Sequence, residues 1–237
     1  MRPERLVAVL GANTAAGKTW VSANLARCLV SGGFSVAARK PVQSFNGCDP
    51  ETDADVLALA TGEQAVDICP EKRWYAMPMA PPMAALFLGR PAFTVGELVS
   101  EIAWPDSPSS FLSARQGPGG SLSGGHGVDI GLVETIGGPR SPIASDGDSI
   151  DLAVALEPDL ALVVCRAQLG AINAVRLAAD CVAARRLPVV VFLNRYRRED
   201  VDERNLRWLQ RDGYDVVMNI EALADRVTSS RRGEGPR

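Results

Sequence analysis

The densest chemistry in the chain lies at residues 11–19, read as Gly11-Ala12-Asn13-Thr14-Ala15-Ala16-Gly17-Lys18-Thr19. A glycine-rich loop that ends in Gly-Lys-Thr can cradle phosphates. Its backbone N–H groups and the helix N-terminus behind it supply partial positive charge. The lysine reaches the β- and γ-phosphates, and the hydroxyl holds Mg²⁺. The loop follows an apolar run at 6–10 and opens a helical pattern, which is the strand–loop–helix context such a loop requires. One departure is visible. Four residues usually separate the two glycines, which would place the first at Ala12, whereas the available glycine is Gly11. The loop predicts binding of ATP and Mg²⁺, with nucleotide contacts from Asn13, Thr14, Ala15, Ala16, Gly17, Lys18, Thr19 and Trp20.

Further polar groups stand where strands should end. Lys40 closes a second apolar run, where a buried stem and a charged tip suit an anionic substrate or the γ-phosphate. Alone, it also fits an ordinary surface lysine. Asp55 and Glu134 are carboxylates of the kind Mg²⁺ takes beside phosphates and water. Asp55 is equally well placed as a first-turn or capping acid of the helix that follows. Glu134 ends an apolar strand just before a glycine turn, and a carboxylate buried there needs a cation. His126, the single histidine, has no partner nearby in sequence, so neither a zinc site nor a histidine base is expected. The five cysteines contain no Cys-x-x-Cys pair, and Cys28, Cys165 and Cys181 lie in apolar segments as small hydrophobes.

The elements that would position these groups alternate along the chain. Strands are expected at 6–10, 35–39, 129–134, 160–165, 188–193 and 215–219. Helices are expected at 20–31, from 53 to just before Gly62, and at 95–102, 150–156, 171–186, 202–212 and 220–226. Pro78, Pro81 and Pro82 cannot lie inside a helix, because proline lacks the amide donor. Apolar strands alternating with helices indicate an α/β fold: a doubly wound, mainly parallel sheet in a single P-loop domain over 1–227. The Gly/Ser/Pro-rich segment 105–127 reads as a surface insertion away from the strand carboxyl ends, and 228–237 as a disordered tail.

Composition narrows the function. The formal charge of −3 gives no basic footprint for nucleic acid. No apolar stretch reaches membrane-spanning length and no signal-peptide pattern is seen, so a soluble, cytoplasmic protein is expected.

Taken in order, several motifs resemble the dethiobiotin synthetases and their P-loop amidoligase and cobyrinate-type relatives. They are GANTAAGKT with its extra residue between the glycines, KPVQS at 40–44, DADVLAL at 53–59, PMAPPMAA at 78–85, VETIGG at 133–138, LGAIN at 169–173 and FLN at 192–194. The resemblance implies closure of a cyclic urea on a vicinal diamine, 7,8-diaminononanoate, with CO₂ and ATP through a phosphorylated carbamate. It implies that Lys18 and Lys40 neutralise the γ-phosphate and carbamate, and that Thr19, Asp55 and Glu134 hold Mg²⁺. Thr14 and Ser44 would contact the carbamate or its phosphoryl group, Asn194 the adenine edge, and 169–173 the substrate across a homodimer interface. The family's usual Glu-Gly-Ala-Gly-Gly stands here as Glu134-Thr135-Ile136-Gly137-Gly138, which places bulky residues beside the reacting centre. Two alternatives remain open. One is a related synthetase acting on another amine or a carboxylate. The other is a partitioning-type ATPase switch, which would carry a second lysine early in the loop, where residues 12–16 have none.

Overall fold

The computed structural model describes residues 1–106, 127–198 and 200–229. The expected insertion at 105–127 therefore falls almost wholly outside the described residues, as does the tail from 230 onward. Strand β1 (Arg5–Gly11) leads through the loop into helix α1 (Lys18–Ser31), which stops at Gly32. Strands β2 (Val36–Arg39) and β3 (Gln43–Ser44) follow, then α2 (Asp53–Thr61), α3 (Ala65–Ile68), a 3₁₀ turn (Glu71–Arg73) and β4 (Trp74–Tyr75). Helix α4 (Pro81–Phe87) opens on its two prolines, which cost nothing in a first turn whose N–H groups have no helical partner. Next come α5 (Val95–Ser100), β5 (Ile130–Glu134), the short β6 (Pro142–Ala144) and β7 (Gly147–Asp148), and α6 (Ser149–Ala155). The chain ends through β8 (Leu160–Arg166), α7 (Ala171–Ala183), β9 (Val189–Asn194), α8 (Asp200–Arg211), β10 (Val216–Val217) and α9 (Ile220–Ser229).

Six strands form the main sheet in the order β10-β9-β8-β1-β5-β2, and every neighbouring pair is parallel. This is the doubly wound arrangement that the alternating pattern implies. Because side chains alternate along a strand, each buried strand feeds two cores. Val7, Val9, Leu162 and Val164 pack beneath α1, α2 and α9. Ala8, Leu10, Val163 and Val191 pack beneath α6, α7 and α8. A third, smaller cluster of Tyr75, Phe93, Leu98, Ile143 and Leu152 lies under the segments between β3 and α6.

The structure differs from the sequence reading in several places, including the short helices α3 and α4, where none was expected. The parallel pair β3–β4 and the antiparallel pair β6–β7 are too short to carry a period-two signal. Strand β10 keeps only two of its five expected residues in the ladder. Thr228 and Ser229, assigned to the tail, extend α9, where the Thr228 hydroxyl donates to the Ala224 carbonyl at 3.0 Å.

Strand β2 lies at an edge of the sheet, where unpaired backbone groups invite association. Glu63 covers it. One carboxylate oxygen accepts the Ala38 N–H at 2.9 Å and the other pairs with the Arg39 guanidinium at 2.5 Å. Both side chains are buried, and Arg39 also donates to the Ala103 carbonyl and lies over the Trp104 ring. Glu63→Ala leaves that guanidinium without its counter-ion and should lower unfolding stability by about 3 kcal/mol in urea titrations. A loss below about 1 kcal/mol, the scale of an exposed pair, would show that the carboxylate is not what secures this edge.

Candidate active site

The phosphate loop is built by close backbone approach. Gly11 ends β1 with its N–H donating to the Gly137 carbonyl at 3.1 Å. A Cβ there would lie 2.6 Å from the carbonyl oxygens of both Asn13 and Gly137, so only glycine fits. The displaced first glycine of the motif is therefore a packing requirement between the loop and the turn after β5. Ala15 and Gly17 take left-handed backbone angles, φ 59° and 91°. A Cβ on Gly17 would meet the Asn194 amide nitrogen at 2.2 Å. That nitrogen donates to the Ala16 carbonyl at 3.0 Å, fixing the loop from beneath. Helix α1 then begins at Lys18 with no side-chain cap, which leaves its first amides free to bind an anion.

Two strand ends and two helix starts supply the charges. Lys40 follows β2 and is 2% exposed, with Nζ 2.5 Å from Asp53 Oδ2 and 2.6 Å from Glu134 Oε1. Burial alone would lower its pKa, but Asp53 and Glu134 outweigh that and hold it above the ordinary lysine value. The Lys40 ammonium in turn pulls Asp53 down to about 2 against the opposing effect of burial. Lys18 stands at the mouth of this cluster, 3.4 Å from the Gly137 carbonyl. Burial, and then repulsion from Lys40, lower its pKa to about 8.

The Thr19 hydroxyl sits 2.8 Å from both Asp53 Oδ1 and Glu134 Oε1. It carries one proton and so satisfies one of those oxygens at a time. The other contact brings two oxygen acceptors together, an arrangement that a hard divalent cation resolves. Ser22 donates to the remaining oxygen of Glu134 at 2.9 Å and orients it. Thr19, Asp53 and Glu134 therefore fit Mg²⁺ by the chemistry of their donor set.

These groups face a cleft of about 490 Å³. Thr14, Lys18, Lys40, Ser44 and Asp53 are among its polar lining residues, and Pro78, Met79, Ile136 and Pro142 among the apolar ones. Ala15, Gly17 and Thr19 also line it, while Glu134 lies buried behind Thr19 and Lys40. Asn13 is exposed, and Ala16 is buried with its carbonyl on Asn194. Trp20 is 55% exposed and does not line the cleft. Asn194, expected at an adenine edge, donates one amide N–H to the Ala16 carbonyl of the loop.

One expected ligand is corrected. Asp55 is exposed and absent from the cleft, because its carboxylate accepts the Thr52 N–H and hydroxyl at 2.8 and 2.7 Å. Thr52 in return accepts the Asp55 N–H, forming a capping box. Asp53, two residues earlier, provides the carboxylate that meets Thr19 and Lys40. The signal was in the sequence: Thr52-x-x-Asp55 has capping-box spacing and assigns Asp55 to the helix end. Pro78 and Met79, read only as part of a motif, turn out to wall the cleft.

No protein-family model matches the chain. It is 32% identical over 197 residues to an ATP-dependent dethiobiotin synthetase BioD of Aquifex aeolicus (strain VF5), across 83% of this chain and 79% of that one. It is 33% identical over 187 residues to the protein of the same name from Chromohalobacter salexigens, across 76% and 70%. Among solved structures, a plasmid partition protein from Borrelia burgdorferi superposes with a TM-score of 0.51 at 11% identity, covering 95% of this chain and 96% of that one. That likeness concerns the fold alone. The sequence similarity, sustained over most of both chains, shows that this chain belongs to the ATP-dependent dethiobiotin synthetase family.

Proposed function

We propose that the chain uses ATP and Mg²⁺ to close a cyclic urea on the vicinal diamine 7,8-diaminononanoate with CO₂, the ring-forming ligase step of biotin biosynthesis. The observation that carries this reading is the second cation. Lys40 is buried in the same cleft as Lys18, so the cleft holds one cation more than the phosphate-loop lysine, together with apolar side chains that could meet a hydrocarbon. The names of the relatives support the synthetase over a partitioning-type switch.

In this reading one amine and CO₂ form a carbamate, ATP phosphorylates it, and the second amine displaces phosphate to close the ring. The loop amides and Lys18 bind the phosphates and offset their charge. Lys40 lies where the carbamate and the γ-phosphate approach each other, and lowers the repulsion between two anions in a partly dry site. Thr14 and Ser44 hydroxyls, lining the same cleft, orient the carbamate oxygens. Thr19, Asp53 and Glu134 would hold Mg²⁺, whose chemistry is to neutralise charge on the transferred phosphoryl group. Positioning and electrostatics carry this reaction, which accounts for a site with no histidine or cysteine lining it among the described residues. We also read Leu169 and Leu177, 87% and 68% exposed, as part of the surface that a second copy covers in a homodimer. No helix among the described residues is long and apolar enough to cross a membrane, in keeping with action on small molecules in the cytoplasm.

Phosphate release coupled to diaminononanoate and bicarbonate tests the assignment. The wild type should release phosphate only when the diamine is present, and vigorous release without any amine would favour the switch. Lys18→Ala should lower turnover by at least about a hundredfold, the scale for losing one stabiliser of transition-state charge. Turnover within threefold of the wild type would remove the phosphate-loop assignment. Lys40→Met should bind ATP with near-normal affinity by calorimetry yet lose at least about a hundredfold in product formation. If affinity and turnover fall together, Lys40 serves the nucleotide alone.

A further inference from the structure

Two bulky residues, Thr135 and Ile136, separate Glu134 from the Gly137 carbonyl that touches Lys18. The structure gives them different work. Thr135 is fully buried, and both its N–H and its hydroxyl donate to the Val9 carbonyl, at 2.9 and 3.0 Å. Its side chain is committed to tying β5 to β1. Ile136 is half-buried and lines the cleft.

Ile136 has little freedom to move aside. Its carbonyl accepts the hydroxyl of the buried Ser149 at 2.8 Å. The next residue, Gly137, has φ 47°, and a Cβ there would strike Ser141 Oγ at 2.1 Å, so the turn is locked on that side as well. Ile136 and Met79 both rest on the third hydrophobic cluster, which backs them with packed side chains. A branched side chain so fixed, lining the same cleft as the Lys40 ammonium, takes up room otherwise open to the carbons that carry the reacting amines.

Resting on the proposed diamine chemistry, we infer that Ile136 is a specificity-determining residue that admits an unbranched vicinal diamine and excludes one substituted beside the amine. The hydrocarbon flanking the amines packs on its side chain, and an added methyl group collides with it.

The test compares wild type, Ile136→Ala and Ile136→Val for phosphate release with two substrates. They are diaminononanoate and an analogue with a methyl group beside one amine. Ile136→Ala should shift the kcat/KM ratio of branched to unbranched diamine by at least about tenfold toward the branched one, the scale of one or two methylenes in a pocket. The change should appear in KM rather than kcat, and Ile136→Val should restore most of the wild-type preference. A merely structural role would lower both substrates alike. An unchanged ratio in Ile136→Ala, or a loss carried by kcat, overturns the inference. If the wild type turns over some other vicinal diamine instead of diaminononanoate, the substrate assignment fails, while the same ratio shift on that amine's branched and unbranched forms still supports the role of Ile136. Absence of turnover with any vicinal diamine overturns both.

Discussion

The site depends on one buried ammonium group holding two carboxylates together. Lys40 lies between Asp53 and Glu134 at 2.5 and 2.6 Å, and Glu134 is almost wholly enclosed. Burying these charges singly would cost several kcal/mol each, and only close mutual geometry offsets it. That requirement ties together the ends of β2 and β5, the first turn of α1 and the first turn of α2. The sheet order makes it possible. β5 lies between β1 and β2 and all three run parallel, so the phosphate loop, Glu134 and Lys40 emerge side by side at the carboxyl ends of the strands. Thr19 joins the loop to the carboxylates, and its single proton leaves the oxygen set short of one positive partner.

Backbone contact shapes what side-chain charge then fills. Gly11 and Gly137 press the phosphate loop against the turn after β5, and Asn194 supports the loop from the end of β9. This pins Lys18 beside the carboxylate cluster instead of letting it swing into solvent. The turn that receives Gly11 also presents Ile136 to the cleft, so one segment both holds the phosphate loop and lines the cleft. The lining of the cleft combines charged and hydroxyl groups with apolar side chains, a combination that suits a charged reacting centre on a hydrocarbon chain.

Much of this was legible in the residues. The loop from Gly11 to Thr19, the six parallel strands and the placement of Lys40 and Glu134 at strand ends follow from local pattern. Each depends on neighbours within a few positions. Asp53 and Asp55 show where pattern reading slips. Two carboxylates at the start of one helix are chemically alike, and only the bond from Thr52 to Asp55 decides which of them turns inward. The working of Asn194 was hidden for another reason. It contacts a loop 178 positions away, and no local signal reports that its amide is committed to Ala16. The pairs β3–β4 and β6–β7 escaped because two- or three-residue strands carry no periodicity.

In the proposed cation site Asp53, with Glu134 and Thr19, holds Mg²⁺, while Asp55 caps a helix. Mg²⁺ affinity, measured by calorimetry on protein saturated with a non-hydrolysable ATP analogue, addresses it directly. Asp53→Asn should weaken Mg²⁺ binding by at least about tenfold, and Asp55→Asn should leave it within about twofold of the wild type. The reverse pattern, with Mg²⁺ binding lost in Asp55→Asn and intact in Asp53→Asn, would contradict the account.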